Sequence, residues 1–278
     1  MIARFGRGKG SGPEQVKPGL SADQCAEAER LLAAGDLLAA LDILLPLAKS
    51  GHAVAQRHVG EILLTGVAGA NAFAPPLIDA EPATAMKWLT AAATAGDARA
   101  QCRLADAYFK GEHLPQSDVD AEGWYRRAAT LGLAEAQDML SWLLAESEGR
   151  TPDYAQSRHW AEAAAAQGHP AAMTRLGLFY HNALGVARDS TAAVMWWRKA
   201  ADLGDADAQA MLGAAHHIGQ GVAKDPVLAY AWLRRARRGG SKLAERFIYA
   251  VRASLSADQI SAAEALSEQA LDERTQQP

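Results

Sequence analysis

Few residues in this sequence have the types and the spacing that a chemical site requires. His216 and His217 form the only pair of adjacent histidines, and adjacent helical positions do not face each other, so the two rings are not expected to bind one metal ion. We expect His216 to be a core residue and His217 to be exposed. The sequence contains no Ser-x-x-Lys, Gly-x-Ser-x-Gly, His-Glu-x-x-His or P-loop motif. We therefore predict that the protein is not an enzyme and has no catalytic, cofactor-binding or metal site.

The cysteines and the glycine-rich start also favour structural roles. Cys25 and Cys102 lie far apart and form no Cys-x-x-Cys pair, which predicts two isolated, buried or half-buried thiols rather than a zinc site or a disulfide framework. The glycines between residues 6 and 12 follow no strand and precede no helix start, as a phosphate-binding loop would require. We interpret that segment as a flexible tail.

One basic cluster leaves two interpretations open. Arg234, Arg235, Arg237 and Arg238 fall within five residues. They could meet an acidic partner or lipid head groups. The favoured alternative is a solvated helix face.

Composition excludes several classes of protein. Of the 278 residues, 49% are apolar and the net charge is −4, which fits a folded protein and not a nucleic-acid binder. The basic start is followed by no apolar segment of a signal peptide. The most apolar stretch, 37–48, contains Asp42 and Pro46 and is too short to span a bilayer. By elimination we expect a cytoplasmic protein with no membrane span and no nucleic-acid partner.

A 36-residue repeat organises most of the chain. Tryptophan recurs at that interval, followed eight residues later by a glycine that we call the repeat glycine. The five pairs are Trp88 and Gly96, Trp124 and Gly132, Trp160 and Gly168, Trp196 and Gly204, and Trp232 and Gly240. Four residues after each glycine comes alanine, and eight after it an aliphatic residue. This spacing predicts two helices per repeat, a first helix after the glycine and a second helix that carries the tryptophan.

The sequence also predicts where the second helices begin and end. Fifteen residues before the five repeat glycines stand Glu81, Ser117, Asp153, Asp189 and Asp225. Four of these five are good N-caps. The repeat glycine ends the helix in the left-handed conformation, and the tryptophans are predicted to fill the core between successive helix pairs.

The repeat predicts the following boundaries. Residues 1–18 and 273–278 are disordered tails, and 19–272 form the solenoid. Within it we place a degenerate pair at 21–50, repeats at 51–95, 96–131, 132–167, 168–203 and 204–239, and a C-terminal cap at 240–272. A nine-residue surplus falls in the loop 66–80. Ser21 to Gln24 and Ser256 to Gln259 share the tetrad Ser-Ala-Asp-Gln and are predicted capping boxes.

These motifs resemble the Sel1-like repeat, a relative of the tetratricopeptide repeat. Residues 172–204 and 208–240 carry the pattern most completely, with Gly-Val at 185–186 and 221–222. The resemblance implies an all-α, right-handed α-solenoid of about seven antiparallel helix pairs. It also implies a non-catalytic scaffold or adaptor. The alternative is a ligand-binding or hydrolytic protein, since some cysteine-rich relatives are linked to β-lactams. This chain departs from those relatives, because it has no disulfide in each repeat.

By analogy with tetratricopeptide repeats, the partner should bind the concave face lined by the first helices. That face falls three, six, ten and fourteen residues after each repeat glycine. The predicted partner-binding residues are Arg99, Asp106, Lys110, Glu135, Trp142, Leu178 and Asn182. Trp142 stands outside the tryptophan ladder and has two open interpretations. It is an exposed interface anchor, or the irregular loop 145–151 of the third repeat folds over it.

Overall fold

The computed structural model describes residues 18–67, 78–146 and 151–268. Its helices are α1 (Pro18–Ala33), α2 (Leu37–Lys49), α3 (Ala53–Thr65), α4 (Pro82–Thr94), α5 (Ala98–Lys110), α6 (Asp118–Thr130), α7 (Ala134–Glu146), α8 (Tyr154–Ala166), α9 (Pro170–Asn182), α10 (Ser190–Asp202), α11 (Ala206–Ile218), α12 (Pro226–Arg238), α13 (Lys242–Ala253) and α14 (Ala257–Glu268). Apart from one isolated bridge between Val67 and Ile78, the described residues contain no β-structure. The predicted all-α solenoid of helix pairs is confirmed.

The predicted helix ends are present. Ser117, Asp153, Asp189 and Asp225 each accept a hydrogen bond from a first-turn backbone amide, whereas Glu81 makes no such bond. The five repeat glycines have φ between 84° and 94°. The Gly96 amide donates to Ala93 and the Asp97 amide to Ala92, which is the Schellman arrangement that satisfies the last carbonyls of a helix.

One predicted capping box is confirmed and the other is wrong. At the start of α14, Ser256 Oγ accepts from the Gln259 amide and Gln259 Oε1 accepts from the Ser256 amide. Ser21 instead lies inside α1, which begins at Pro18. Proline fits the first turn of a helix because its missing N–H would have no intrahelical partner there.

The chain divides into two compact units, residues 1–136 and 137–278. Unit 1 has one apolar cluster across α1–α4 and another built mainly from α4 and α5. In unit 2, one cluster runs from α8 to α12, and a second is built from α12, α13 and α14 with Ala210 of α11. The alanine four residues after each repeat glycine and the aliphatic residue eight after it are at most 2% exposed, as the repeat predicts.

The innermost position of each second helix is the residue after the ladder tryptophan. Trp88, Trp124, Trp160 and Trp196 are half-buried, and only Trp232 is fully buried. The following residues are all at most 2% exposed: Leu89, Tyr125, Ala161, Trp197 and Leu233. Four of the five ladder tryptophans therefore lie at the edge of the core, where Arg127 stacks on Trp124 and Lys199 on Trp196.

A small residue on the first helix receives that innermost side chain. Gly51, before α3, has φ 94° and is counted below with the repeat glycines. Nine residues after Gly51 and after the first four of the five repeat glycines stand Gly60, Ala105, Ser141, Gly177 and Gly213. A Cβ on Gly60 would lie 2.8 Å from Leu89 Cγ, and one on Gly213 would lie 2.8 Å from Leu233 Cγ. One on Gly177 would overlap the Trp197 indole. Three helix pairs are thus closed by a glycine on the first helix and a large side chain on the second helix.

The last two helices depart from this pattern. α13 covers the final repeat with Ala244, Ile248 and Val251, which are all buried. In its described part, α14 packs against α12. The residue of α13 at the small position, Tyr249, is accordingly 70% exposed.

Three predicted features fall wholly or partly outside the described residues. They are the tails, 1–18 and 273–278, the central part of the 66–80 loop and residues 147–150 of the third-repeat loop.

Candidate interaction surfaces

Buried glutamines join successive repeats through the backbone. Five residues after the repeat glycine, Gln56, Gln101 and Gln209 are at most 8% exposed. Their Nε2 atoms donate to Ala48, Ala93 and Ala201 at 3.1, 3.0 and 3.2 Å. Each bond links the start of a first helix to the end of the preceding second helix.

In unit 1, a charged network crosses from α3 to the start of α5. The buried Arg57 lies 3.2 Å from Asp97, which also caps α5, and 3.1 Å from Glu61. Burial alone would raise the pKa of Glu61, but the hydrogen bond from His58 and the charge of Arg57 lower it overall. These groups are occupied in holding the two repeats together.

The predicted binding residues of unit 1 fall into two groups. Arg99, Lys110 and Glu135 are exposed. Asp106 is half-buried and accepts a hydrogen bond from the buried Tyr125 hydroxyl. Burial, and then this bond, raises the pKa of Tyr125. Asp106 therefore has a structural task in its own helix pair.

Trp142 and its neighbours form the corresponding face of unit 2. Trp142 and Leu178 are both half-buried, and Leu178 packs against the α8–α12 cluster. Asn182 is exposed, and Ile218 is 59% exposed. Trp142 is thus neither fully exposed nor fully covered.

An ion pair lies deeper on the same first helices. Asp138, which is 6% exposed, contacts Arg175 at 3.2 Å and His169 at 4.0 Å. Thr174, six residues after its own repeat glycine, donates to Asp205 at 3.0 Å. Asp138 and Thr174, each six residues after a repeat glycine, therefore join neighbouring repeats, whereas the side chains fourteen residues after it, Lys110, Asn182 and Ile218, are exposed.

The arginine cluster of α12 meets another helix of this chain. Arg234 lies 2.6 Å from Glu264, and Arg238 lies 2.7 Å from Glu268, both on α14. Arg235 stacks on the Trp232 ring at 5.1 Å, and Arg237 is exposed. The favoured interpretation, a solvated face, is correct for Arg237 and Arg238, which are exposed, and not for Arg234, which is half-buried. It did not include the ion pairs that Arg234 and Arg238 form with α14. Their partners lie 30 residues away in sequence, which local spacing does not reveal.

Both cysteines are buried and free. Sequence spacing missed that Cys25 lies 3.7 Å from His52 Nδ1. That nitrogen also accepts from the Ala55 amide as the cap of α3, and burial, followed by the charge of Glu29, raises the pKa of Cys25. A protonated thiol beside an occupied imidazole is a poor nucleophile. Burial raises the pKa of Cys102 to about 12, which keeps that thiol protonated as well.

Other side chains with potentially reactive groups are buried or half-buried. Ser141 and Ser157 are fully buried, and their hydroxyls lie 3.1 Å apart. His216 is 3% exposed, as predicted, and its Nδ1 lies 3.3 Å from the Ala223 carbonyl. His217 is half-buried rather than exposed, with its Nδ1 buried.

Two kinds of site are absent from the described ranges. Over those ranges, no three histidine, cysteine, aspartate or glutamate side chains are grouped so that they could hold a metal ion. None of the helices described has both the length and the apolar character needed to cross a bilayer.

Comparison with known proteins assigns the repeat. The family model of the Sel1 repeat matches residues 53–97, 98–133, 134–169, 170–205 and 206–241, each beginning two residues after the predicted start. No curated protein matches the sequence.

Two solved structures are similar to the chain. One is c5321, a protective antigen of uropathogenic Escherichia coli strains that displays an SLR fold. Identity is 30%, the TM-score is 0.80, and the match covers 90% of this chain but 53% of that one. The chain therefore spans about half the length of that relative. The other is a Sel1 repeat protein from Oxalobacter formigenes, with 25% identity, a TM-score of 0.76 and coverage of 92% and 99% of the two chains. With five consecutive matches to the repeat and the helix pairs that it specifies, this chain belongs to the Sel1 repeat family.

Proposed function

We propose that the protein is a non-catalytic scaffold that binds a partner protein through the first-helix faces of its repeats. In unit 2 the face comprises Trp142, Leu178, Asn182 and Ile218. In unit 1 it comprises Arg99, Asp106, Lys110 and Glu135. Proteins built from Sel1 repeats are typically interaction scaffolds rather than enzymes.

The observation that carries this proposal is the accessible apolar surface of unit 2. Ile218 is 59% exposed at the end of α11, and Leu178 and Trp142 are half-buried on the two preceding first helices. Large apolar side chains that stay partly accessible beside polar ones are typical of protein interfaces. The exposed charges in unit 1 would mainly orient the partner and raise the rate of its association, and would contribute less to the affinity.

A matched pair of substitutions tests the location. Ile218→Arg places a charge on the first-helix face, whereas Met195→Arg places one on α10, a second helix, at a side chain that is 48% exposed. Affinity purification from the native organism identifies the partner. We then expect Ile218→Arg to weaken the binding of the purified partner at least tenfold and Met195→Arg to leave it unchanged. The proposed face is wrong if the two variants behave in the opposite way.

The alternative function, a β-lactam-binding or hydrolytic protein, requires a nucleophile beside a base. Cys25 and the Ser141–Ser157 pair are the groups that come nearest to that arrangement, and all three are buried. We expect purified protein to leave a chromogenic β-lactam intact. Hydrolysis that disappears on replacing a single serine or lysine would establish the alternative.

A further inference from the structure

The surface of α12 that faces α14 carries both charge and apolar area. Arg234 and Arg238 are four residues apart and so project from one side of α12. Trp232, fully buried, is the α12 member of the α8–α12 cluster, and Leu266 of α14 packs against that cluster. The other four ladder tryptophans are only half-buried. The surface of α12 that α14 covers is therefore more exposed at the corresponding position of the other repeats.

The end of the repeat array is covered by two helices, α13 and α14, which share one apolar cluster. α13 covers the final repeat with three buried apolar residues, Ala244, Ile248 and Val251. In its described part, α14 buries Ala263 and Ser267, and half-buried Ile260 and Leu266 pack against the neighbouring clusters. A terminal helix with two fully buried residues is expected among the less stable parts of a structure.

Besides its apolar contacts, α14 is held by ion pairs whose glutamates are exposed. The side chains of Glu264 and Glu268 are 45% and 61% exposed, and that of Arg238 is 50% exposed. Such pairs contribute little to stability and are weakened by salt. Between them, Ser267 accepts from Arg234 through its hydroxyl and from Arg238 through its carbonyl.

The fit also leaves one polar group unsatisfied. Trp232 Nε1 is buried and has no hydrogen-bond acceptor among the described residues. A buried donor without an acceptor is unfavourable.

We propose that the Trp232–Arg238 face of α12 is a docking site for an acidic amphipathic helix of a partner protein, and that α14 covers this site in the free chain. The ligand chemistry is that of α14 itself: two glutamates four residues apart that meet Arg234 and Arg238, and a leucine between them that packs beside Trp232. A partner helix of this kind displaces α14 by competition. The site lies on a second helix and is separate from the first-helix face.

A charge-swap experiment on the full chain tests this proposal. One labelled peptide has the sequence of residues 256–271, and a second carries lysine in place of both glutamates. The receptors are the wild type, Glu264→Lys/Glu268→Lys and Arg234→Glu/Arg238→Glu, and fluorescence anisotropy reports binding. Both double variants lose the attraction that holds their own α14.

We expect Glu264→Lys/Glu268→Lys to bind the natural peptide at least tenfold more tightly than the wild type does, because its own helix no longer competes. Arg234→Glu/Arg238→Glu should bind only the lysine peptide. Adding Arg237→Glu to the first variant is the matched control, since Arg237 is exposed on the same helix, and it should change little. Absence of peptide binding to the released variants at millimolar concentration overturns the proposal. So does binding that ignores the charge swap, or binding of anionic vesicles in place of the peptide.

Hydrogen exchange of the wild type gives a second test that needs no substitution. The amides of α14 should exchange faster than those of α12, and salt should widen the difference. Equal protection of the two helices overturns the proposal.

Because Ile218 lies outside this site, partner binding that is lost in Ile218→Arg but kept in both double variants would support the first-helix face alone.

Discussion

At the scale of single residues, the distance between two packed helices determines which residue type fits at their contact. Gly177 lies where the Trp197 indole packs against α9, and Trp197 Nε1 donates to the Thr174 carbonyl at 3.2 Å. Gly123, on α6, has no neighbouring atom within 4 Å of its would-be Cβ. The packing of Trp197 therefore requires a glycine at position 177, whereas the space around Gly123 would admit a larger side chain.

This contrast predicts opposite effects of the same substitution. Gly177→Ala should destabilise the protein by roughly 1–3 kcal/mol, because the added methyl group overpacks the site against the indole. Gly123→Ala should stabilise it by up to about 1 kcal/mol, because alanine restricts the unfolded chain and favours helix. Chemical denaturation of both variants measures the difference, and equal effects would contradict the close packing of α9 and α10.

His216 makes stability depend on pH. The Ala223 carbonyl can only accept, so Nδ1 carries the proton and the buried Nε2 has no partner. Burial is the main cause that lowers the pKa of His216. The unfolded chain therefore takes up this proton first as pH falls below about 6.5, and the stability that the neutral ring contributes is lost below that pH.

Replacement by leucine, which occupies the same repeat position at Leu63 and Leu144, isolates this effect. His216→Leu should be less stable than the wild type at pH 7.5, because the Ala223 carbonyl loses its donor. The difference in the free energy of unfolding should shrink between pH 7.5 and pH 5. A difference that is constant across this range would mean that the folded and unfolded states bind the His216 proton equally.

At the scale of the helix, the sequence predicts ends better than faces. The caps Ser117 and Asp153 and the repeat glycines act through contacts within three to five residues, so their spacing suffices. The innermost position depends on how a helix is rotated against its neighbour. Trp124 and Tyr125 differ by only one position, and the larger side chain is the less buried of the two. Similarly, the pairing of Arg234 with Glu264 depends on α14 packing against α12, which the 36-residue repeat does not predict.

Adjacent tryptophans on α10 test this rotation. Trp197→Ala should cost about 3–5 kcal/mol, as expected for a large side chain removed from a core. Trp196→Ala should cost clearly less, because its half-buried ring packs at the edge of the cluster beneath Lys199. Thermal and chemical denaturation compare them directly. A larger loss for Trp196 would place the tryptophan ladder, rather than the next residue, at the centre of the core.

At the scale of the whole molecule, stability is a sum over repeats and over the junctions between them. Three of the junctions share a generic contact, since Gln56, Gln101 and Gln209 each donate to a backbone carbonyl that every helix end possesses. The contact within a helix pair varies between repeats, because Gly177 accommodates a tryptophan, whereas Gly60 and Gly213 each accommodate a leucine.

Whether a gene duplication or an unequal crossover yields a folded protein should therefore depend on where in the repeat the breakpoints fall, and not only on how many residues are gained or lost. Excising residues 170–205 removes α9 with α10 and leaves each remaining first helix with its own second helix. Excising 153–188 removes as many residues, but it joins α7, with Ser141 at the small position, to α10, with Trp197. We expect the first deletion to yield a cooperatively folding protein and the second to be markedly less stable in denaturation experiments. Recombination can thus lengthen or shorten this protein only in whole helix pairs, with breakpoints in the turns marked by the repeat glycines.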